Sequence, residues 1–343
     1  MPRNTAVVTG ASGQDGSYLS EFLLHMGYEV YGLVRRVSVE NTERLRNVIG
    51  HGRFHLVQGD VSDGSSIAKL LHEVEPDEWY NLAAQSHVGD SWSQPEATFE
   101  INARSVLILL NHALQYPKLR IYQASTSELF GDSQPPQTEE TPFKPNSPYA
   151  IAKMAAHMAC VSYRKGKGVF VSCGILFNHE SPRRGDQFVT QKICRQMAEI
   201  KAGKRDSIEL GNLEARRDWG WAPDYLWGIW LMLQQPKPDD YILATGEAHS
   251  VREFVETAAT VAGVSSPKII SNVTNLRPME VPSLLGSYDR ANKVLGWAPS
   301  ERFSGLVYKM MSAAMNRQEY PGFIDTVDWS QFPLDPKNNP PQA

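Results

Sequence analysis

The chain begins with a short apolar run, Thr5–Thr9 (TAVVT), that opens directly into Gly10-Ala11-Ser12-Gly13-Gln14-Asp15-Gly16. An amphipathic stretch follows, with Leu19, Phe22, Leu23 and Met26 at helical spacing and Gly27 closing it. A strand passing through a glycine-rich turn into a helix is the context a dinucleotide fingerprint requires. Gly10 permits the tight turn, Gly13 lets the backbone approach a pyrophosphate, and Gly16 lets the helix pack on the strand. The helix N-terminus then faces the anion, and Gln14 and Asp15 of the turn join the glycines as candidate cofactor contacts. A plain turn would need the same glycines, but not the strand and helix around them.

The next apolar run, Glu29–Val34, ends in Arg35-Arg36. An acidic residue there, about twenty positions past the glycines, would hold the ribose hydroxyl of NAD. Two guanidinium groups instead suit a 2′-phosphate, which a carboxylate would repel, so the pattern favours NADP over a pair of merely solvated arginines. Phe54–Gln58 reads as a third strand, with Asp60 and Val61 at its end in reach of an adenine. Residues 65–75 read as a helix and 78–82 as a fourth strand. That strand ends at Leu82, Ala83, Ala84 and Ser86, mostly small residues against which a flat cofactor can lie. Residues 98–114 carry helical spacing at Val106, Leu109, Leu110 and Ala113. This alternation predicts an α/β fold, a doubly wound and mostly parallel Rossmann sheet, with ligands at the strand carboxyl ends.

The run Leu119-Arg120-Ile121-Tyr122 leads into Ser125, Thr126, Ser127 and Glu128. A seventeen-residue loop, 132–148, with five prolines separates these from Tyr149 and Lys153. The i,i+4 spacing of the last two puts phenol and ammonium on one helical face. A positive charge beside a phenol favours the phenolate, which makes the pair a candidate general base near neutral pH. Alone, this spacing also occurs by chance on surface helices.

After Asn178 the strand–helix alternation breaks. Residues 1–177 are expected to form the NADP-binding domain, with 212–246 returning to it. Residues 178–211 and 247–320 then form a smaller α/β substrate-binding lobe, and 321–343 a proline-rich tail. The net charge of −4 gives no basic field for nucleic acid. Cys160, Cys173 and Cys194 form no CxxC pair, which fits a reducing compartment. The start of the chain has no signal-peptide core, and the most apolar window, 226–233, is too short for a bilayer. His51 and His55 have no partner ligands in sequence. The expectation is a cytoplasmic protein with no metal and no membrane association.

Taken together, TGASGQDGSYLSEFLL, GLVRR, NLAAQSHV, QASTSELFG, SPYAIAK, LFNHESPRRG, GNLEARRDWG and the RPxEV string ending at Val281 resemble the extended short-chain dehydrogenase/reductase family. Within it, they resemble the GDP-mannose 4,6-dehydratases, over nearly the whole chain. The resemblance implies a tightly held NADP, a nucleotide-sugar substrate and a homodimer or homotetramer. It also implies that Thr126, Glu128, Tyr149 and Lys153 are the catalytic group. Tyr149, helped by Thr126, would deprotonate the hexose C4 hydroxyl. Lys153 would hold the nicotinamide ribose and lower the Tyr149 pKa, and Glu128 would remove the C5 proton. His179 and Arg184 join the implied cofactor contacts. Ser86, Asn178, Val189, Lys192, Arg217, Arg277 and Glu280 join Thr126 and Glu128 as implied substrate contacts.

An epimerase or simple reductase needs the tyrosine and lysine but no carboxylate at C5, so Glu128 separates the dehydratase reading from that rival. A dehydratase of a modified GDP-mannose such as a heptose is a second alternative, and a non-catalytic NADP-binding sensor a third. The chain departs from the family pattern at Trp221, where many members have His, and at Pro282, where many have Asp. Both departures bear on the expected sugar.

Overall fold

The computed structural model describes residues 4–38, 41–271, 279–316 and 321–323. Its first half is built from β1 (Thr5–Thr9), α1 (Gln14–His25), β2 (Glu29–Val34), β3 (Phe54–Gln58), α2 (Gly64–Val74) and β4 (Glu78–Asn81). Next come α3 (Pro95–Phe99), α4 (Ser105–Ala113), β5 (Arg120–Ala124), α5 (Pro148–Lys167) and β6 (Phe170–Leu176). Further on lie β7 (Asn178–Glu180), α6 (Val189–Lys201), β8 (Ser207–Leu210), β9 (Arg216–Arg217), β10 (Trp219–Trp221), α7 (Ala222–Gln234) and β11 (Asp240–Leu243). The last elements are β12 (His249–Ser250), α8 (Val251–Ala262), β13 (Lys268–Ser271), β14 (Ser283–Leu284), α9 (Asp289–Leu295) and α10 (Phe303–Asn316).

Seven strands form one sheet in the order β11-β6-β5-β4-β1-β2-β3, with every neighbouring pair parallel. Parallel strands need crossover helices, and these cover both faces. Because side chains alternate along a strand, each strand feeds two cores. Ala6, Val8, Tyr80 and Tyr122 join Phe22 of α1 and Trp230 of α7 on one face. Val7, Trp79, Ile121 and Val171 join Leu70 of α2, Leu110 of α4 and Cys160 of α5 on the other. The strand order reverses between β1 and β4, so the loops leaving their carboxyl ends diverge and open a crevice. That crevice is where the fingerprint emerges.

The single helix expected over 98–114 is interrupted. A π-helical turn, Glu100–Arg104, lies between α3 and α4 and carries the buried Asn102. The Asn102 amide accepts from Gln85 N at 2.9 Å and donates to Gln85 O at 2.8 Å. A wide turn in a helix therefore fixes the loop that leaves β4 beside the crevice.

Beyond β6, β7 pairs with β10, β9 lies between β12 and β14, and β8 pairs with β13. Helices α6, α8 and α10 pack around a third core that includes Ile193, Met197, Phe254, Phe303 and Met310. Helix α7 instead returns to the main sheet against α1. The proline-rich loop 132–148 is anchored by Gln137, which is fully buried. Its amide nitrogen donates to Leu285 O at 2.8 Å, its side-chain oxygen accepts from Leu285 N at 2.9 Å, and its carbonyl accepts from Ser287 N at 2.9 Å. At the other end of the chain, Phe323 packs edge-on against Phe22 with ring centroids 5.6 Å apart. No helix among the described residues is long and apolar enough to cross a membrane.

Candidate active site

The fingerprint turn is shaped by what a side chain would meet. Gly10 has φ +66°, and a Cβ there would lie 2.9 Å from Ala83 N. A Cβ on Gly16 would lie 2.3 Å from Gly10 O, so only glycine lets α1 approach β1 this closely. Gly13 is the N-cap of α1 and makes no side-chain cap, which leaves the first amides of the helix facing the crevice. Thr9 fastens the two diverging loops together, since its hydroxyl oxygen accepts from Leu82 N and Ala83 N, both at 3.0 Å. This cradle of close backbone fits a pyrophosphate. Arg35 and Arg36 stand exposed just beyond the end of β2. Asp60 and Val61 lie past β3, where the Asp60 carboxylate accepts from Ser62 N at 2.9 Å.

Gln14 and Asp15 reach across to the second half of the chain. The Gln14 amide donates to His179 O at 3.1 Å and accepts from Ser181 Oγ at 2.8 Å. Asp15 pairs with His179 Nε2 at 2.8 Å. Burial alone would raise the Asp15 pKa, but the His179 charge and hydrogen bond outweigh it and hold the carboxyl below its usual range. Both side chains, sought as cofactor contacts, also serve as a clasp between α1 and β7.

A cleft of about 790 Å³ opens at the carboxyl ends of β4, β5 and β6. Thr126, Glu128, Tyr149 and Lys153 all line it. Thr126 caps the 3₁₀ turn Ser127–Phe130, its hydroxyl accepting from Glu128 N at 3.3 Å, and this turn carries Glu128 into the cleft. Ser147 caps α5 with a 3.1 Å bond from Ala150 N, and Pro148 at its start sets the first turn that presents Tyr149. Lys153, one turn on, donates to Ala124 O at 2.8 Å.

Burial dominates the electrostatics of this pair. It pushes the Tyr149 phenol up to about 12, with a hydrogen bond from Thr126 pulling down and the Glu128 charge pushing up. It pushes the Lys153 ammonium down to about 8. The phenolate expected from the tyrosine–lysine spacing is therefore not set by those two residues. More positive charge is needed beside Tyr149.

The far wall comes from β7, α6 and the short strands. Asn178, His179, Arg184, Val189, Lys192, Arg217 and Glu280 line it, as do Asp15, Leu82, Ala84 and Ser86 on the near side. Arg217 is tied down: it pairs with Glu280 at 3.0 Å and donates to Val281 O at 2.8 Å. Arg184 pairs with Glu180 at 3.1 Å and stacks over Phe188 at 3.7 Å. Ala83, Gly10, Gly13, Gly16 and Gln14 are not among the residues that line this cleft, and Gly13 is exposed. Arg277 lies outside the described residues.

Trp221 does not reach the cleft. It is buried in the α6–α8–α10 core, with the Lys309 ammonium 4.9 Å from its ring centre. Pro282 is exposed, and its carbonyl accepts from Arg216 N at 2.9 Å. The two departures from the family pattern thus alter packing and loop pairing rather than the cleft surface. Residues not singled out in sequence also line the cleft, among them His87, Phe188, Arg195 and Asn212. Arg195 follows Val189 and Lys192 at three-residue steps on one face of α6, a signal that was present in the sequence. The others sit on loops and have none.

A family model described as GDP-mannose 4,6 dehydratase matches residues 7–310. The chain belongs to this family. GDP-mannose 4,6 dehydratase 1 of Arabidopsis thaliana is 48% identical over 322 residues, covering 90% of this chain and 89% of that protein. The Homo sapiens GDP-mannose 4,6 dehydratase is 43% identical over 340 residues, covering 91% of each. In architecture the chain is similar to dTDP-glucose 4,6-dehydratase from Bacillus anthracis in complex with NAD, with TM-score 0.81 at 21% identity, covering 92% of this chain and 98% of that one.

Proposed function

We propose that this family member converts GDP-mannose to GDP-4-keto-6-deoxymannose by internal redox dehydration. The observation that carries the reading is the convergence of Glu128 with Thr126, Tyr149 and Lys153 in one cleft. Tyr149 takes the proton of the hexose C4 hydroxyl, with the Thr126 hydroxyl lowering the pKa of the phenol. When bound, an oxidised nicotinamide would supply the hydride acceptor for C4 and the hydride donor for C6, and its positive charge would favour deprotonation within the cleft. Glu128 removes the C5 proton that the new 4-keto group has acidified. The same carboxyl then protonates the departing C6 hydroxyl, water leaves, and a proton returns to C5. The redox steps cancel, so no net reductant is consumed.

The nicotinamide cofactor is NADP in this reading, held by the glycine cradle, with Arg35 and Arg36 placed for a 2′-phosphate. Arg217, Lys192 and Asn178 face the nucleotide diphosphate, and residues 178–211 with 247–320 act as the substrate lobe. The active form is a homo-oligomer in the cytoplasm, and light scattering would give its size.

The test offers the purified protein a panel of nucleotide sugars without added reductant and follows products by NMR. The expected outcome is a 4-keto-6-deoxy product from GDP-mannose, with no net change in NADP redox state. A 4-epimer, or a stoichiometric demand for NADPH, would sink the dehydratase assignment.

A further inference from the structure

Helix α5 presents a third polar residue to the site. His157 follows Tyr149 and Lys153 at the same four-residue step, so all three face the carboxyl end of β5. Each meets a different one of three consecutive residues there. Tyr149 meets the Thr126 hydroxyl, Lys153 donates to Ala124 O at 2.8 Å, and His157 Nδ1 lies 3.1 Å from Ser125 Oγ. Ser125 lines the cleft, and His157 is 3% exposed.

On its other side His157 Nε2 faces Asp240 Oδ2 at 3.6 Å. Asp240 starts the edge strand β11 and is itself held by an ion pair with Arg164. With the imidazole proton on Nε2 toward this carboxylate, Nδ1 is left to accept the Ser125 hydroxyl. Cys173 of β6 and the edge of the Phe143 ring, whose centroid is 5.2 Å from that of the imidazole, complete its surroundings. His157, Cys173 and Asp240 offer ligand atoms within 4.8 Å of one another, a spacing open to a divalent cation. The Arg164 guanidinium already neutralises Asp240 and lies 3.8 Å from Cys173 Sγ, so a second cation would meet repulsion.

We infer that His157 is a positioning residue: oriented by Asp240, it fixes the Ser125 hydroxyl and with it the register of Ala124 and Thr126 against Lys153 and Tyr149. Its bond to Ser125 stands beside the Lys153 bond to Ala124 as a second attachment between α5 and the end of β5. Without it, the strand end can shift relative to the helix that carries the base. Displacements of this kind, far short of unfolding, reduce rate rather than binding. This inference rests on the dehydratase reading for its kinetic effect, though not for its hydrogen bond.

Two measurements on the full chain test it. At a pH high enough to keep the ring neutral, since burial is outweighed by the neighbouring Cys173 and Asp240, which raise its pKa, imidazole ¹⁵N NMR should show the wild-type ring protonated at Nε2, with the Nδ1 resonance moved by Ser125→Ala and the Nε2 resonance moved by Asp240→Asn. In dehydration assays, His157→Leu and Ser125→Ala should each lower kcat about tenfold with KM nearly unchanged. The double variant should be no slower than the slower single one, because both remove the same bond. His157→Asn, which keeps an acceptor near the Nδ1 position, should recover most of the rate. If His157→Leu fails to fold, Ser125→Ala and His157→Asn still decide the matter. Additive losses, an unchanged kcat in Ser125→Ala, or an Nδ1 resonance indifferent to Ser125→Ala would each overturn the inference. A wild-type chain inactive on GDP-mannose would instead remove the functional reading, and the NMR result would still stand or fall by itself.

Discussion

The proposed reaction class rests on Glu128, which one 3₁₀ turn carries into the cleft. Thr126 caps that turn, so the residue whose hydroxyl lowers the phenol pKa also aims the carboxylate. The two groups are electrostatically coupled, the Glu128 charge making Tyr149 harder to ionise. Replacing Glu128 by Gln keeps shape and removes the proton acceptor. Glu128→Gln should stop water loss while leaving oxidation at C4 intact, visible as transient NADPH absorbance in stopped flow. Turnover at a near-normal rate would refute the role given to this carboxyl. Thr126, Glu128, Tyr149 and Lys153 were legible as candidates, since QASTSELFG and SPYAIAK carry them in order, and they line one cleft. The direction of the Tyr149 shift was not legible, because burial depends on the whole cleft.

Helix starts show how the same local device can differ in consequence. Ser147 caps α5 at the turn that presents Tyr149, and Asp63 caps α2 on the outer surface. Losing the Ser147 cap should cost about 1 kcal/mol of stability, and losing the Asp63 cap should destabilise as well. Denaturant melts of Ser147→Ala and Asp63→Ala should therefore both show a loss. Activity should separate them: Ser147→Ala frays the base-bearing turn and lowers kcat several-fold, whereas Asp63→Ala leaves kcat as it was. Equal kinetics in the two variants would mean that the α5 cap does not position Tyr149. Element boundaries were largely legible, as the match of the apolar runs Thr5–Thr9, Glu29–Val34 and Phe54–Gln58 to β1, β2 and β3 shows. The π-turn at Glu100–Arg104 was not. Its reason is Asn102 bonding to Gln85, a partner distant in sequence that no helical period encodes.

Across the whole molecule, buried carboxylates join segments that the chain order separates. Asp218 accepts from Thr245 N at 2.8 Å, Thr245 Oγ1 at 2.7 Å and Gly246 N at 3.0 Å, just past β11. Asp224 holds Ser300 and Glu301 against the start of α7. Burial, outweighing these hydrogen bonds, pushes each from 3.8 up to about 6. A folded-state pKa above the unfolded value means the folded protein binds the proton more tightly. The stability this adds is full below about 4 and is lost as pH rises through about 6. Denaturation midpoints measured across that window should fall with rising pH from these two groups. Asp218→Asn should flatten its share of the slope, and an unchanged slope would contradict the assignment.

The sequence alone determined the doubly wound class, the glycine-rich turn, the arginines after β2 and the four candidate residues that line the cleft. These depend on strand and helix periods, turn chemistry and short spacings, all of which a chain carries locally. Only the tertiary structure decided that Trp221 faces a core, that Arg217 is spent partly on Glu280, and that His157 stands behind Ser125. Each of these depends on which strand ends lie side by side. That adjacency comes from the order β11-β6-β5-β4-β1-β2-β3, in which neighbours in space are often strangers in sequence, and side-chain burial and partner choice follow from it.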